Sequence, residues 1–95
     1  MKKKGELITY SDGTKEWCLN GKLHREDGPA VEFSNGTKYW YLNGQCHRVD
    51  GPAVEYPDGT KAWYLNGEPY DKTSYYNLMV KLGHMTEEEG FLELI

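Results

Sequence analysis

The chain has 95 residues, enough for one domain that buries only roughly 60–65% of the surface its unfolded form exposes. Eleven basic and fifteen acidic residues leave a net charge of −4, which suits neither wrapping DNA nor lying on an anionic membrane. Aromatic residues make up 14% of the chain (three Trp, eight Tyr, two Phe), so its apolar surface sits on a few large rings, which favours sheet over helix.

Residues 1–4, "MKKK", form a basic tail. Three lysines are too few for a nucleic-acid footprint, so a solvated terminus is expected. The sequence after them is polar, unlike a signal peptide. No apolar run approaches the roughly 18 residues of a membrane span. Cys18 and Cys46 stand 28 residues apart, out of step with the 23-residue period of the chain, and form no disulfide framework. A reduced, cytoplasmic protein is the expectation.

From residue 5 the chain repeats itself. "DGTKEWCLNG" at 12–21 returns as "NGTKYWYLNG" at 35–44 and as "DGTKAWYLNG" at 58–67. Nine of the eleven glycines fall into three trios spaced by 23 residues, so one backbone path is drawn about three times. The units run 5–19, 20–42 and 43–65, with a partial fourth at 66–70. Each carries two turn signals. Asn20-Gly21, Asn43-Gly44 and Asn66-Gly67 read as type I′ hairpin turns. Asp12-Gly13, Asn35-Gly36 and Asp58-Gly59 read the same way. Strand formers such as "AVEF" and "TKYWYL" lie between them. The pattern predicts a mainly β fold: a single-sheet antiparallel hairpin meander of about six strands. Asp27-Gly28-Pro29 and Asp50-Gly51-Pro52 read as bulges or tight bends, where proline serves no central ladder.

Two-residue turns set the register. Across Asn43-Gly44, Tyr41 faces Cys46 and Trp40 faces His47. Across Asn35-Gly36, a two-residue turn puts Trp40 opposite Val31; a three-residue loop would put Tyr39 there instead. On the two-residue reading Val31, Phe33, Trp40, Leu42 and His47 share one face, and Ala30, Tyr39, Tyr41 and Arg48 the other. Trp17, Trp40 and Trp63 then form a file.

Residues 71–95 predict a helical cap. Thr73 or Ser74 opens a first helix with Tyr75, Leu78, Met79 and Leu82 as its apolar positions and Gly83 as its stop. Thr86 to Glu89, "TEEE", is a capping box for a second helix through Phe91, Leu92 and Ile95. One helix is expected to pack on the sheet or its end, as terminal units of solenoids do.

The 23-residue unit resembles the MORN repeat family. The form "NGKLHREDGPAVE" followed by "DGTKxWYLNG" looks like a variant found in small proteins of bacteriophages and bacteria, over residues 5 to 70. It departs from the standard pattern at "HREDGPA", where Arg25 and Arg48 stand in place of a glycine. The resemblance implies an interaction protein, and the residues themselves are read as without catalytic activity. A phage protein of this kind would bind a host protein and inhibit or scaffold it, as counter-defence proteins do. The family's association with lipid is put in doubt by the departure.

The chemistry of the residues points the same way. "HRED" and "HRVD" gather His24, Arg25 and Asp27, then His47, Arg48 and Asp50, which could form acid/base or phosphate clusters. An Asp before Gly-Pro more often accepts turn amides, and a His opposite a Trp more often packs on it. His24 and His47 should lie roughly 9–10 Å apart, too far to share a zinc. Cys46 and His47 point to opposite faces, so no cysteine nucleophile is activated. No cofactor is called for. Tyr and Trp with an occasional Arg is the composition of protein-binding hot spots. The binding residues expected are Tyr39, Tyr41, Tyr64, Arg25 and Arg48, with His24 and His47 beside them. A small-nucleotide sponge is the alternative, and stacking of single-stranded nucleic acid a weaker one. Edges near 5–10 and 66–70, or the tail, offer pairing with a second copy.

Overall fold

The computed structural model describes residues 5–95. The basic tail at 1–4 lies outside the described residues. The fold is mainly β, with two short C-terminal helices. β1 (Glu6–Thr9) and β2 (Lys15–Leu19) form the first hairpin, and β2 continues through Asn20-Gly21 into β3 (Lys22–Leu23). Next come β4 (Val31–Glu32), β5 (Lys38–Tyr39), β6 (Tyr41–Leu42) and β7 (Gln45–Cys46). β8 (Val54–Glu55), β9 (Lys61–Leu65) and β10 (Glu68–Tyr70) complete the strands. The sheet runs β1-β2-β4-β5-β8-β9-β10, with β3 also on β2, and every pairing is antiparallel.

The strands are shorter and more numerous than six. β6 and β7 form a separate two-stranded ladder, so the expected single sheet is an eight-stranded sheet and a two-stranded one. The segments "HREDGP" and "HRVDGP" explain the fragmentation. β3 and β4 both lie on β2, and the chain between them leaves the ladder and returns.

The Asn-Gly turns are as their sequence predicts. Asn20, Asn43 and Asn66 take φ of 51–53° and their glycines 77–82°, so both central residues are left-handed, as type I′ requires. The Asp-Gly and Asn-Gly turns of the other set differ. Phe33 N–H donates to Thr37 O and Gly36 N–H to Phe33 O, which encloses three residues, not two. The Asn35 side chain accepts from Thr37 N–H at 2.9 Å, and only Gly36, at φ 95°, is left-handed. The same bonds form around Asp12 and Asp58. The side-chain bond holds the turn residue in ordinary φ, and a single left-handed glycine closes the loop.

That extra residue moves the register by one. Tyr39, not Trp40, faces Val31, and Tyr39 also faces Val54. Tyr39 and Tyr41 therefore share a face with Val31 and Phe33, while Trp40 lies on the other. The ladder Lys15–Glu32–Lys38–Glu55–Lys61 runs across that second face, and Trp17, Trp40 and Trp63 each sit two residues beyond a lysine of it.

α1 (Lys72–Lys81) and α2 (Glu87–Leu94) follow. The cap of α1 is Asp71, whose carboxylate accepts from Ser74 N–H; Thr73 and Ser74 lie inside the helix. Gly83, at φ 83°, ends it. Thr86 and Glu89 close the capping box of α2. α1 docks through Tyr75, Tyr76 and Met79, which with Leu65 form a buried cluster against Trp63, Val49 and Tyr70. Leu82 stays exposed. Tyr76 takes the place expected for Leu82, and its hydroxyl accepts from Trp63 Nε1 at 3.2 Å. Among the described residues no helix is long and apolar enough to cross a membrane.

Candidate binding surface

The two "HR" motifs build the same structure at two places. His24 Nδ1 accepts from Asn43 N–H, and His47 Nδ1 from Asn66 N–H, each at 2.9 Å. Each histidine thus satisfies an amide of the Asn-Gly turn that comes next in the chain. The main chain reinforces the joint: Arg25 N–H donates to Tyr41 O, and Gly44 N–H to Leu23 O. Arg48 N–H to Tyr64 O and Gly67 N–H to Cys46 O repeat the arrangement.

The arginines turn inward. The guanidinium carbon of Arg25 lies 4.0 Å from the centre of the Trp17 ring, and that of Arg48 the same distance from Trp40. Arg25 Nε pairs with Asp27 at 2.9 Å, and Nη1 donates to Pro29 O. Arg48 pairs likewise with Asp50 and Pro52 O, and its Nη1 also meets Glu55 at 3.0 Å. A Cβ on Gly28 or Gly51 would lie 3.0 or 3.1 Å from the guanidinium carbon. These glycines leave room for the arginine; neither takes a left-handed φ. Asp27-Gly28-Pro29 is therefore a seat for Arg25, and Asp50-Gly51-Pro52 a seat for Arg48.

Between the two motifs opens a cleft of about 420 Å³, lined in part by Arg25, Trp40, His47 and Arg48. Glu26, Asp27 and Asp50 line it too, so carboxylates outnumber the two guanidinium groups. The His47 pKa is lowered by burial and, secondarily, by His84, which favours the neutral ring that accepts from Asn66. Among the described residues no group of three His, Cys, Asp or Glu side chains could hold a metal ion.

The opposite face carries a connected aromatic surface. Tyr39 is its centre. Its ring lies 5.6 Å from Phe33 edge-to-face, 6.5 Å from Tyr56 edge-to-face, and 6.2 Å from Tyr41 in a stack. A hydrogen bond with Tyr56, and then burial, raises the Tyr39 pKa. Burial raises that of Tyr41, helped by the fields of Cys46 and Tyr64. Tyr64 occupies the position of Tyr41 one unit on and is half-buried. Phe33 and Tyr56 are 42% and 39% exposed. Beneath this face Cys46 directs its sulfur at Ala53 O, and burial pushes its thiol up to about 11.

The structure thus divides the expected site. Tyr39, Tyr41 and Tyr64 lie on one face; Arg25 and Arg48 lie on the other, engaged with Trp17 and Trp40. Phe33 and Tyr56, which sequence reasoning left out, belong with the tyrosines. The signal that would have found them is the three-residue loop, which moves Tyr39 onto their face. No family model matches the chain, and neither a curated protein nor a solved structure matches it.

Proposed function

We propose that the chain is a non-catalytic protein-binding module, a MORN-like hairpin-repeat meander closed by a helical cap. Its binding surface is the sheet face of Phe33, Tyr39, Tyr41, Tyr56 and Tyr64. The observation that carries this reading is the four-ring cluster around Tyr39, which stays open while α1 packs against the Trp63 side. Tyrosine and phenylalanine supply large, stiff contact area at low entropic cost, the property of interface anchors. The histidines and arginines support the module from within, since His24 and His47 Nδ1 and the Nε and Nη1 of Arg25 and Arg48 already serve the joints.

The rival nucleotide reading needs cations that can reach phosphate. Both guanidinium groups of the cleft are bonded within the chain, and carboxylates exceed them there. The protein reading is accordingly favoured. The resemblance to small phage and bacterial repeat proteins makes a host protein the partner to seek, and inhibition or scaffolding of it the action.

The test is capture from bacterial lysate by the wild-type chain, a Phe33→Ser, Tyr56→Ser variant and an Arg48→Lys variant. The proposal expects one protein retained by wild type and Arg48→Lys and lost by the aromatic variant. Capture that survives loss of both rings, or no capture beside a nucleotide-induced rise in melting temperature, would refute it.

A further inference from the structure

The sheet ends on β1, and the outer edge of that strand has no strand partner among the described residues. Its inner edge is fully paired, from Glu6↔Cys18 to Thr9↔Lys15. Leu7 and Ile8 are 51% and 40% exposed. The residues 23 and 46 positions on are Ala30, Val31, Ala53 and Val54, and none of them is more than 4% exposed. The difference lies in what precedes each strand. β2 covers the outer edge of β4, and β5 that of β8. Nothing among the described residues does this for β1.

The far end of the sheet is managed differently. Tyr75 and Tyr76 pack on Trp63, and the outermost strand β10 carries Pro69, which has no N–H to offer. β1 has neither proline nor lysine within it, the devices that keep an edge from pairing.

We propose that the outer edge of β1 pairs antiparallel with β1 of a second copy of this chain, joining the two sheets across a two-fold axis. Charge selects this arrangement. β1 opens on Glu6 and closes on the uncharged Thr9. Antiparallel pairing sets Glu6 of one copy towards Thr9 of the other, whereas parallel pairing in register would set Glu6 against Glu6. The arrangement is self-complementary and closes at two copies. A two-fold axis perpendicular to the sheet keeps equivalent faces on the same side. Ile8 faces Glu16, which faces Val31, which faces Tyr39, so the two aromatic surfaces would lie on one side of the joined sheet. The pairing itself does not rest on those surfaces binding anything.

Sedimentation equilibrium of the full chain from about 1 to 500 µM tests the proposal, a range that resolves micromolar association. The expected result is a rise from 11.0 kDa to twice that mass and no further. Ile8→Lys, an exposed position whose fold is checked by circular dichroism, should weaken the dimer at least about tenfold, and Tyr56→Lys should leave it unchanged. A second readout leaves the strand's charge alone. In a Cys18→Ser, Cys46→Ser background, Leu7→Cys or Ile8→Cys should form a disulfide with its own copy under mild oxidation, since residues facing each other across antiparallel strands lie within bridging distance. A monomer throughout, growth beyond two copies, or a dimer indifferent to Ile8→Lys would each overturn the proposal.

Discussion

Replacing Arg48 with alanine should unfold more of the molecule than it silences. The side chain is 21% exposed and lies flat on Trp40. A partly desolvated guanidinium on an indole contributes about 1–2 kcal/mol. Its bond to Pro52 O and its pairing with Glu55, itself 34% exposed, add about 1–2 kcal/mol together. The pairing with Asp50 adds little, because that carboxylate is 78% exposed. Arg48→Ala should therefore cost about 2–4 kcal/mol, a fall in melting temperature of roughly 10–20 °C for a domain of this size. Arg25→Ala removes the same contacts with Trp17, Asp27 and Pro29 O, and should cost somewhat less for want of the Glu55 contact. Arg48→Lys keeps the charge but loses the fork and the flat stack, and should fall between wild type and Arg48→Ala. Urea unfolding followed by tryptophan fluorescence measures all three, with the denaturant slope unchanged if only stability moves. Both alanine variants within about 0.5 kcal/mol of wild type would refute the reasoning, since a surface substitution costs no more. The guanidinium groups would then be dispensable to the fold and open to a partner.

Four further outcomes are expected. Burial holds the His47 pKa below its unfolded value, so the neutral ring's contribution is complete above about pH 6.5 and declines as pH falls through the folded pKa; stability in urea should drop over that window, and His47→Gln should flatten the drop. Tyr75→Phe removes a hydroxyl that donates to Arg48 O and accepts from Gly51 N–H, and should cost about 1–3 kcal/mol by thermal unfolding while both helices persist in the circular dichroism spectrum. Asn43→Ala should cost about 1–2 kcal/mol in the same assay and Asn43→Gly much less, because position 43 sits at φ 52°. Cys46 should resist iodoacetamide at pH 8 in the native protein and react once urea is added, since partial burial pushes its thiol up to about 11.

Much of this architecture was legible in the sequence wherever one residue type answers one geometric demand. A type I′ turn needs two left-handed residues in succession, and Asn20-Gly21, Asn43-Gly44 and Asn66-Gly67 all have them. Thr86 and Glu89 sit three apart and cap α2 as that spacing requires. The turns at Asp12-Gly13, Asn35-Gly36 and Asp58-Gly59 were not legible, because the dipeptides Asp-Gly and Asn-Gly serve two geometries. An acceptor side chain two residues before Thr14, Thr37 or Thr60 selects the three-residue loop, and one extra residue inverts the faces of everything beyond it. The placement of Arg25 and Arg48 beside the tyrosines failed because β3 ends at Leu23 and β7 at Cys46, so the strand alternation that carried the arginines to that face stops before them. It also failed because a guanidinium on a surface strand looks available until the tryptophan, the glycine seat and the proline carbonyl beneath it are assembled, and these come from segments up to eight residues away.

The end of the pattern turns on one position. Arg25 and Arg48 stand 23 residues apart, and 23 further on stands Asp71. An arginine there would have lain on Trp63 as the others lie on Trp17 and Trp40. The carboxylate instead caps α1, accepting from Ser74 N–H. Its bonds to the Ser74 amide and hydroxyl hold its own pKa down. The helix it starts delivers Tyr75 and Tyr76 to the ring the missing arginine leaves bare, with ring centres 6.4 and 6.1 Å from Trp63. The same site in the unit thus either clips an arginine onto the preceding tryptophan or launches the element that covers it. Asp71→Arg should then weaken the N-terminus of α1 without restoring the stack, because the two tyrosines already fill the space above Trp63. Helix content lost with little gain in sheet stability is the expected result, read by far-UV circular dichroism against urea unfolding. A variant more stable than wild type would show that the arginine clip outcompetes the helix, and that the cap is held in place by residue 71 alone.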